Sequence, residues 1–151
     1  MSDIRRISAR GVVLMPDAQG RACIALMHRL KPAGVEPGKL LDYYVTPGGG
    51  VENGESIPRA AEREIHEELG IHCIAGEELF RRVDGAHDEH ILMCSFESGE
   101  FGTGSGPEFT NPHEKNGSYI PTLVPLRDLA QTALVPEVLK EVILKRFCGA
   151  I

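Results

Sequence analysis

The sequence has no apolar run long enough to span a bilayer, and its arginine-bearing start has no apolar stretch of the kind a secretory leader needs. Both absences argue against a membrane partner and point to the cytoplasm. Basic excess is missing too. Sixteen Lys and Arg stand against 22 Asp and Glu, for a net charge of −6, which argues against a general binder of the nucleic-acid backbone, since such a binder needs a basic stripe. A free nucleotide arriving with its metal remains compatible with an acidic protein. Cys23, Cys73, Cys94 and Cys148 form no CxxC pair. Cys23 and Cys94 lie in apolar runs and read as small buried hydrophobes of a reducing compartment. His87 and His90 lack a third nitrogen or sulfur ligand at zinc spacing. They read first as surface or edge residues, with substrate contact or proton transfer as the other role. The acidic alternation of an EF-hand loop is absent, as are internal repeats.

What is present is globular. The 151 residues are 42% hydrophobic and 25% charged, the composition expected of one soluble domain over 1–151 with a substantial core.

The most informative stretch is GGGVENGESIPRAAEREIHEELGI, residues 48–71. Ser56 can cap a helix, Pro58 fits its first turn, and Gly70 stands where a left-handed end is wanted. Ile57, Ala61, Ile65 and Leu69 recur every fourth residue and predict an apolar face. Glu64, Glu67 and Glu68 lie at i, i+3 and i+4 and share a neighbouring face. Like charges so placed destabilise a bare helix, and the nearby cation is Arg63. Either the face is simply solvated, or its carboxylates hold a hard divalent cation beside a glycine turn open to phosphate.

The spacing resembles the Nudix box, with Gly49, Glu55, Arg63, Glu64, Ile65, Glu67, Glu68, Gly70 and Ile71 at all its fixed positions, over 49–71. The resemblance implies an α/β protein, an α/β/α sandwich around a central mixed β-sheet. It implies a metal-dependent pyrophosphohydrolase acting on a nucleoside triphosphate, or on a nucleoside diphosphate linked to another moiety. Mg²⁺ is the implied cofactor, with Mn²⁺ as the alternative. Glu64, Glu67, Glu68 and the Gly48 carbonyl become the metal ligands. Arg63 and Glu55 become a pair that fixes the loop against the helix. The general base varies within the family, so Glu64, Glu67 and a loop glutamate, Glu114 before Glu108, all stand as candidates. A Nudix-fold module that binds nucleotide without hydrolysis is the alternative, although such modules usually lose box glutamates. No proline follows the box until Pro107 and no tyrosine until Tyr119, which weakens the ADP-ribose and dinucleoside-polyphosphate labels. The extended motif of the coenzyme A group is not visible.

Around the box the pattern predicts strands. Alternation begins at Ile7 and Ala9, followed by the apolar run Val12, Val13, Leu14, Met15. A return strand over 23–27 leaves His28, Arg29 and Lys31 at its end, where Arg29 is a candidate phosphate contact. In a strand over 40–45, Tyr43 and Tyr44 take opposite faces. One ring packs, and Tyr44 is the candidate to stack on a base; two packed or edge-lying rings are the other reading. Residues 47–50 are expected to turn, with Gly49 admitting close approach of a ligand. Strands over 71–83, kinked near Ala75–Gly76, and over 90–96 make a hairpin about a polar turn at 84–89. Residues 97–118 form a long loop. Pro121 marks the strand over 119–124 as an edge, where two copies could pair as a homodimer. A short helix over 126–133 precedes a last one opened by Pro136, with Val138, Leu139, Val142, Ile143 and Phe147 apolar and Lys140, Glu141, Lys145 and Arg146 opposite.

Overall fold

Two valines that the sequence places side by side, Val12 and Val13, are both wholly buried, because their strand is covered on both faces. In this computed structural model, which describes residues 5–34, 38–104 and 117–148, that strand is β1, Arg6–Pro16. It is followed by β2 (Ala22–Pro32), β3 (Leu40–Val45), β4 (Gly48–Gly50), α1 (Ile57–Leu69), β5 (Ile71–Asp84), β6 (His87–Gly99), β7 (Ser118–Pro125), a 3-10 turn (Leu126–Gln131) and α2 (Glu137–Phe147). The described residues fall into two compact units, one drawn from Met1–Met15 and Pro47–Ser105, the other from Pro16–Thr46 and Gly106–Ile151.

In the first unit β1 pairs antiparallel with β4 and parallel with β6, which pairs antiparallel with β5. Ser8, Ala9 and Arg10 have partners in both β4 and β6, so the local order is β4-β1-β6-β5 and the sheet is mixed, as expected of the α/β class. Residues 48–50 are therefore a short strand rather than only a turn: their backbone groups find partners on Ser8, Ala9 and Arg10. α1 packs with Ala60, Ala61, Ile65 and Leu69 buried. Gly11 admits it, since a Cβ there would lie 2.4 Å from Ile65 Cδ1. The expected kink in β5 is a pair of register shifts, between Ala75 and Glu78 and between Glu78 and Phe80. The N–H of Ala75 donates to Glu62 of α1 at 2.9 Å, so a side chain satisfies a group at the irregularity.

β6 starts at His87, three residues earlier than the pattern suggests, and runs on to Gly99. The turn is thus only Gly85 and Ala86, with Gly85 at φ 58°. His90 is not a surface residue but 8% exposed, held between Glu78 and Asp88. His87 meets Ser8 Oγ at 2.9 Å.

In the second unit β2 pairs antiparallel with β3 and with β7. The return strand runs to Pro32, so His28, Arg29 and Lys31 lie inside it and not beyond its end. α2 corrects the predicted apolar face. Val138 is 55% exposed, whereas Lys140 is buried, its ammonium donating to the carbonyls of Ala130 and Thr132. The backbone oxygens by the 3-10 turn supply the partners that periodicity does not register. That turn ends at Gln131 rather than 133.

Candidate active site

The site is built in the first unit, where β4 meets α1. Ser56 Oγ accepts from the Arg59 N–H, Pro58 lies in the first turn, and Gly70 closes the helix at φ 81°. These ends fix which residues α1 turns toward β4.

Glu64 and Gly49 fit one another. A Cβ on Gly49 would fall 2.7 Å from the Glu64 carboxyl carbon, so the carboxylate occupies space that any other residue would fill. Glu68 reaches the preceding residue: its Oε1 accepts from the Gly48 N–H at 3.1 Å. Gly48 is also pressed against β1, for a Cβ there would lie 2.4 Å from the Ala9 carbonyl oxygen and 2.4 Å from Arg10 Cγ. Glu67 is exposed at the rim of the same face.

Arg63 ties these pieces together. Its Nε donates to Glu55 Oε2 at 2.8 Å and its Nη2 to Glu55 Oε1 at 3.0 Å, a two-pronged pair. Nη2 also donates to the Gly50 carbonyl at 3.0 Å, while Nη1 donates to Glu64 Oε1 at 3.0 Å and reaches Glu67 at 3.3 Å. Glu55 is fixed in turn by the Glu52 N–H at 3.1 Å. The expected Arg63–Glu55 pair is present, and it locks the loop before α1 to the helix.

The electrostatics follow this geometry. The Arg63 hydrogen bond, helped by the Glu52 backbone, draws the Glu55 carboxyl down to about 2. The Glu55 hydrogen bond is the main reason that Arg63 holds its proton more tightly than a free guanidinium, against the cost of burial. Burial pushes the Glu64 carboxyl up, and Glu67 adds to this, while Arg63 and Arg10 oppose it.

Among the described residues no three His, Cys, Asp or Glu side chains stand together as a ready metal-holding group. Arg63 and the Gly48 N–H engage the three carboxylates instead. The donors nonetheless fit a hard divalent ion: all are oxygens, and the cradle at Gly49 is shaped around one of them.

The other candidates belong to the second unit. Arg29 is 9% exposed, with its guanidinium 3.6 Å from the Tyr119 ring centroid and Nη1 3.3 Å from the Tyr43 hydroxyl. Tyr44 stacks on His28, ring centroids 4.4 Å apart. Glu108 and Glu114 lie outside the described residues. Arg10 is absent from the residues that patterning singles out, yet it touches Gly48 and pairs with Glu89 at 2.9 Å. Its one signal is a charge between Ala9 and Gly11, just before the apolar run that starts at Val12.

A NUDIX domain model matches residues 5–144. Over 65 residues the chain is 38% identical to the nucleoside triphosphatase NudI of Salmonella heidelberg (strain SL476), a match spanning 43% of this chain and 43% of that relative. A NUDIX hydrolase from Nitrosomonas europaea superposes with a TM-score of 0.65 at 14% identity, covering 99% of this chain and 76% of that one. The MutT structure from a study of Aliivibrio salmonicida and Vibrio cholerae gives 0.59 at 18% identity, covering 93% and 99%. At such identities the two structures speak for the fold.

Proposed function

The chain belongs to the Nudix family, and from that premise we propose that it is a pyrophosphohydrolase of nucleotides, a single Nudix domain acting in the cytoplasm. The observation that carries the reading is the seat of the Glu64 carboxylate against Gly49, with Glu68 on the neighbouring Gly48 N–H. Two substrate classes fit, a nucleoside triphosphate and a nucleoside diphosphate linked to another moiety. The Salmonella relative is named a nucleoside triphosphatase, which puts triphosphates first.

Glu64, Glu67, Glu68 and the Gly48 carbonyl would hold the cation, Mg²⁺ before Mn²⁺. Bound there, it would neutralise the phosphate oxygens and acidify a water. Arg63 and Glu55 keep the glycine strand and the carboxylate face in register. Arg29 would meet phosphate and Tyr44 a base. Glu64 and Glu67, with Glu114 and Glu108 beyond the described residues, are the candidates to accept the water's proton. Water adds to phosphorus, one P–O anhydride bond breaks, and a nucleoside monophosphate leaves with pyrophosphate or a phosphorylated remainder. Among the described residues no helix is long and apolar enough to cross a membrane.

A panel of nucleoside triphosphates and diphosphate derivatives, assayed for phosphate or pyrophosphate release with Mg²⁺, tests the reading. Turnover that vanishes in Glu68→Gln supports it. Nucleotide binding without turnover by the unaltered protein would make the chain a binding module.

A further inference from the structure

Gly48 is gripped from two sides. Glu68 of α1 takes its N–H at 3.1 Å, and the stem of Arg10 lies against it so closely that a Cβ would fall 2.4 Å from Arg10 Cγ and 2.5 Å from Arg10 Cα. Arg10 and Gly48 are register partners in the β1–β4 pair, and Gly48 stands at φ 154°, where few residues other than glycine sit. The arginine stem therefore forms a wall behind the peptide that leads into the site.

That wall is itself anchored. Arg10 Nε donates to Glu89 Oε2 at 2.9 Å. Glu89 is 5% exposed and stands on β6, on the far side of β1 from β4. Arg82 of β5 lies 3.6 Å from its other oxygen. A carboxylate this buried is costly unless paired, and here the pairing fixes one rotamer of Arg10. β1, β6 and α1 thus converge on the Gly48 backbone of β4, β1 contributing the charged side chain of Arg10.

We propose that Arg10 and Glu89 are a positioning pair that fixes the Gly48 peptide for cation binding. This rests on the reading of Gly48 as a metal ligand given above. Neither residue touches the reacting atoms; each acts through the backbone of β4. Partners behind metal ligands are worth roughly 10–100-fold in affinity.

The test uses the intact chain and its Arg10→Ala, Arg10→Met, Arg10→Lys and Glu89→Gln variants. Mn²⁺ binding is followed by the electron paramagnetic resonance of the free ion, and amide hydrogen exchange over 47–51 is followed without metal. Arg10→Ala is expected to speed exchange there and to weaken Mn²⁺ binding about 10-fold or more. Arg10→Met, which keeps the stem but loses the charge, and Glu89→Gln should fall between it and the unaltered protein. Arg10→Lys should restore most of the loss. In turnover, the KM for metal should rise more than kcat falls.

Unchanged exchange over 47–51 in both Arg10→Ala and Glu89→Gln would overturn the proposal, whatever the activity. If Arg10→Ala does not fold, Glu89→Gln decides alone. An unaltered protein that neither binds Mn²⁺ nor turns over nucleotide would instead sink the hydrolase reading, while the exchange data still decide whether this pair orders Gly48.

Discussion

The Arg63 guanidinium grips Glu55 with two nitrogens, at 2.8 and 3.0 Å, while a third contact at 3.0 Å reaches the Gly50 carbonyl. One side chain thereby joins the loop, the glycine strand and the helix. The consequence is that loop position and carboxylate position are set together.

Acid should expose this coupling. Glu55 has its pKa lowered from 4.5 to about 2 on folding, chiefly by Arg63. Its contribution to stability is present above the unfolded value and is lost as the pH falls through the folded one. The difference in Tm between the unaltered protein and Glu55→Gln should therefore hold at neutral pH and shrink between about pH 4.5 and 2. A difference that stays constant over that window would contradict the pairing.

Gly49→Ala sets a methyl group 2.7 Å from the Glu64 carboxyl. The obstacle is the tip of a side chain, so the fold can yield while the carboxylate shifts. kcat should fall roughly 100-fold, the usual penalty for displacing a reacting group by about 1 Å. Thermal unfolding should move far less. Full activity in this variant would remove Glu64 from the site.

Gly70→Ala attacks the helix end instead. The residue sits at φ 81°, and a Cβ would press on Thr103 Oγ1 at 2.2 Å and on the Thr103 carbonyl carbon at 2.7 Å. Left-handed backbone costs a non-glycine residue about 1–2 kcal/mol. For a chain of this size that is roughly 3–6 °C in Tm, readable by circular dichroism. A variant as stable as the parent would mean that the helix ends elsewhere.

Lys140→Met should destabilise the protein even though it trades a charge for an apolar side chain of similar length. The ammonium bridges the carbonyls of Ala130 and Thr132 at 3.3 and 3.1 Å. The Thr132 carbonyl keeps the Leu134 N–H at 2.8 Å, but losing the bonds from a charged donor costs about 1.5–3 kcal/mol, to be measured by urea unfolding. A gain in stability would show that burial of this lysine is a net cost.

Local chemistry made α1 legible from the chain alone. A capping serine, a proline in the first turn and a glycine at the end act within a few residues, and the structure has all three in place. The Arg63–Glu55 pair was expected from the resemblance to the Nudix box, and the structure has it, joining the short entering loop to the helix. Contacts across strands were not. The pairing of β4 with β1 turns a glycine run into a strand, and nothing in that run announces a partner forty residues earlier. Lys140 and Val138 exchanged their expected roles because the carbonyls that receive Lys140 come from the 3-10 turn and the chain after it.

By itself the sequence determined the helix, its caps and the order of acidic groups along one face, because those depend on backbone propensities and spacing. Only the tertiary structure decided that Gly48 is clamped between Glu68 and Arg10, and that Glu89, 79 residues from Arg10, holds the clamp. Register between strands depends on which distant backbone groups find each other, and residue spacing along one chain carries no record of that choice.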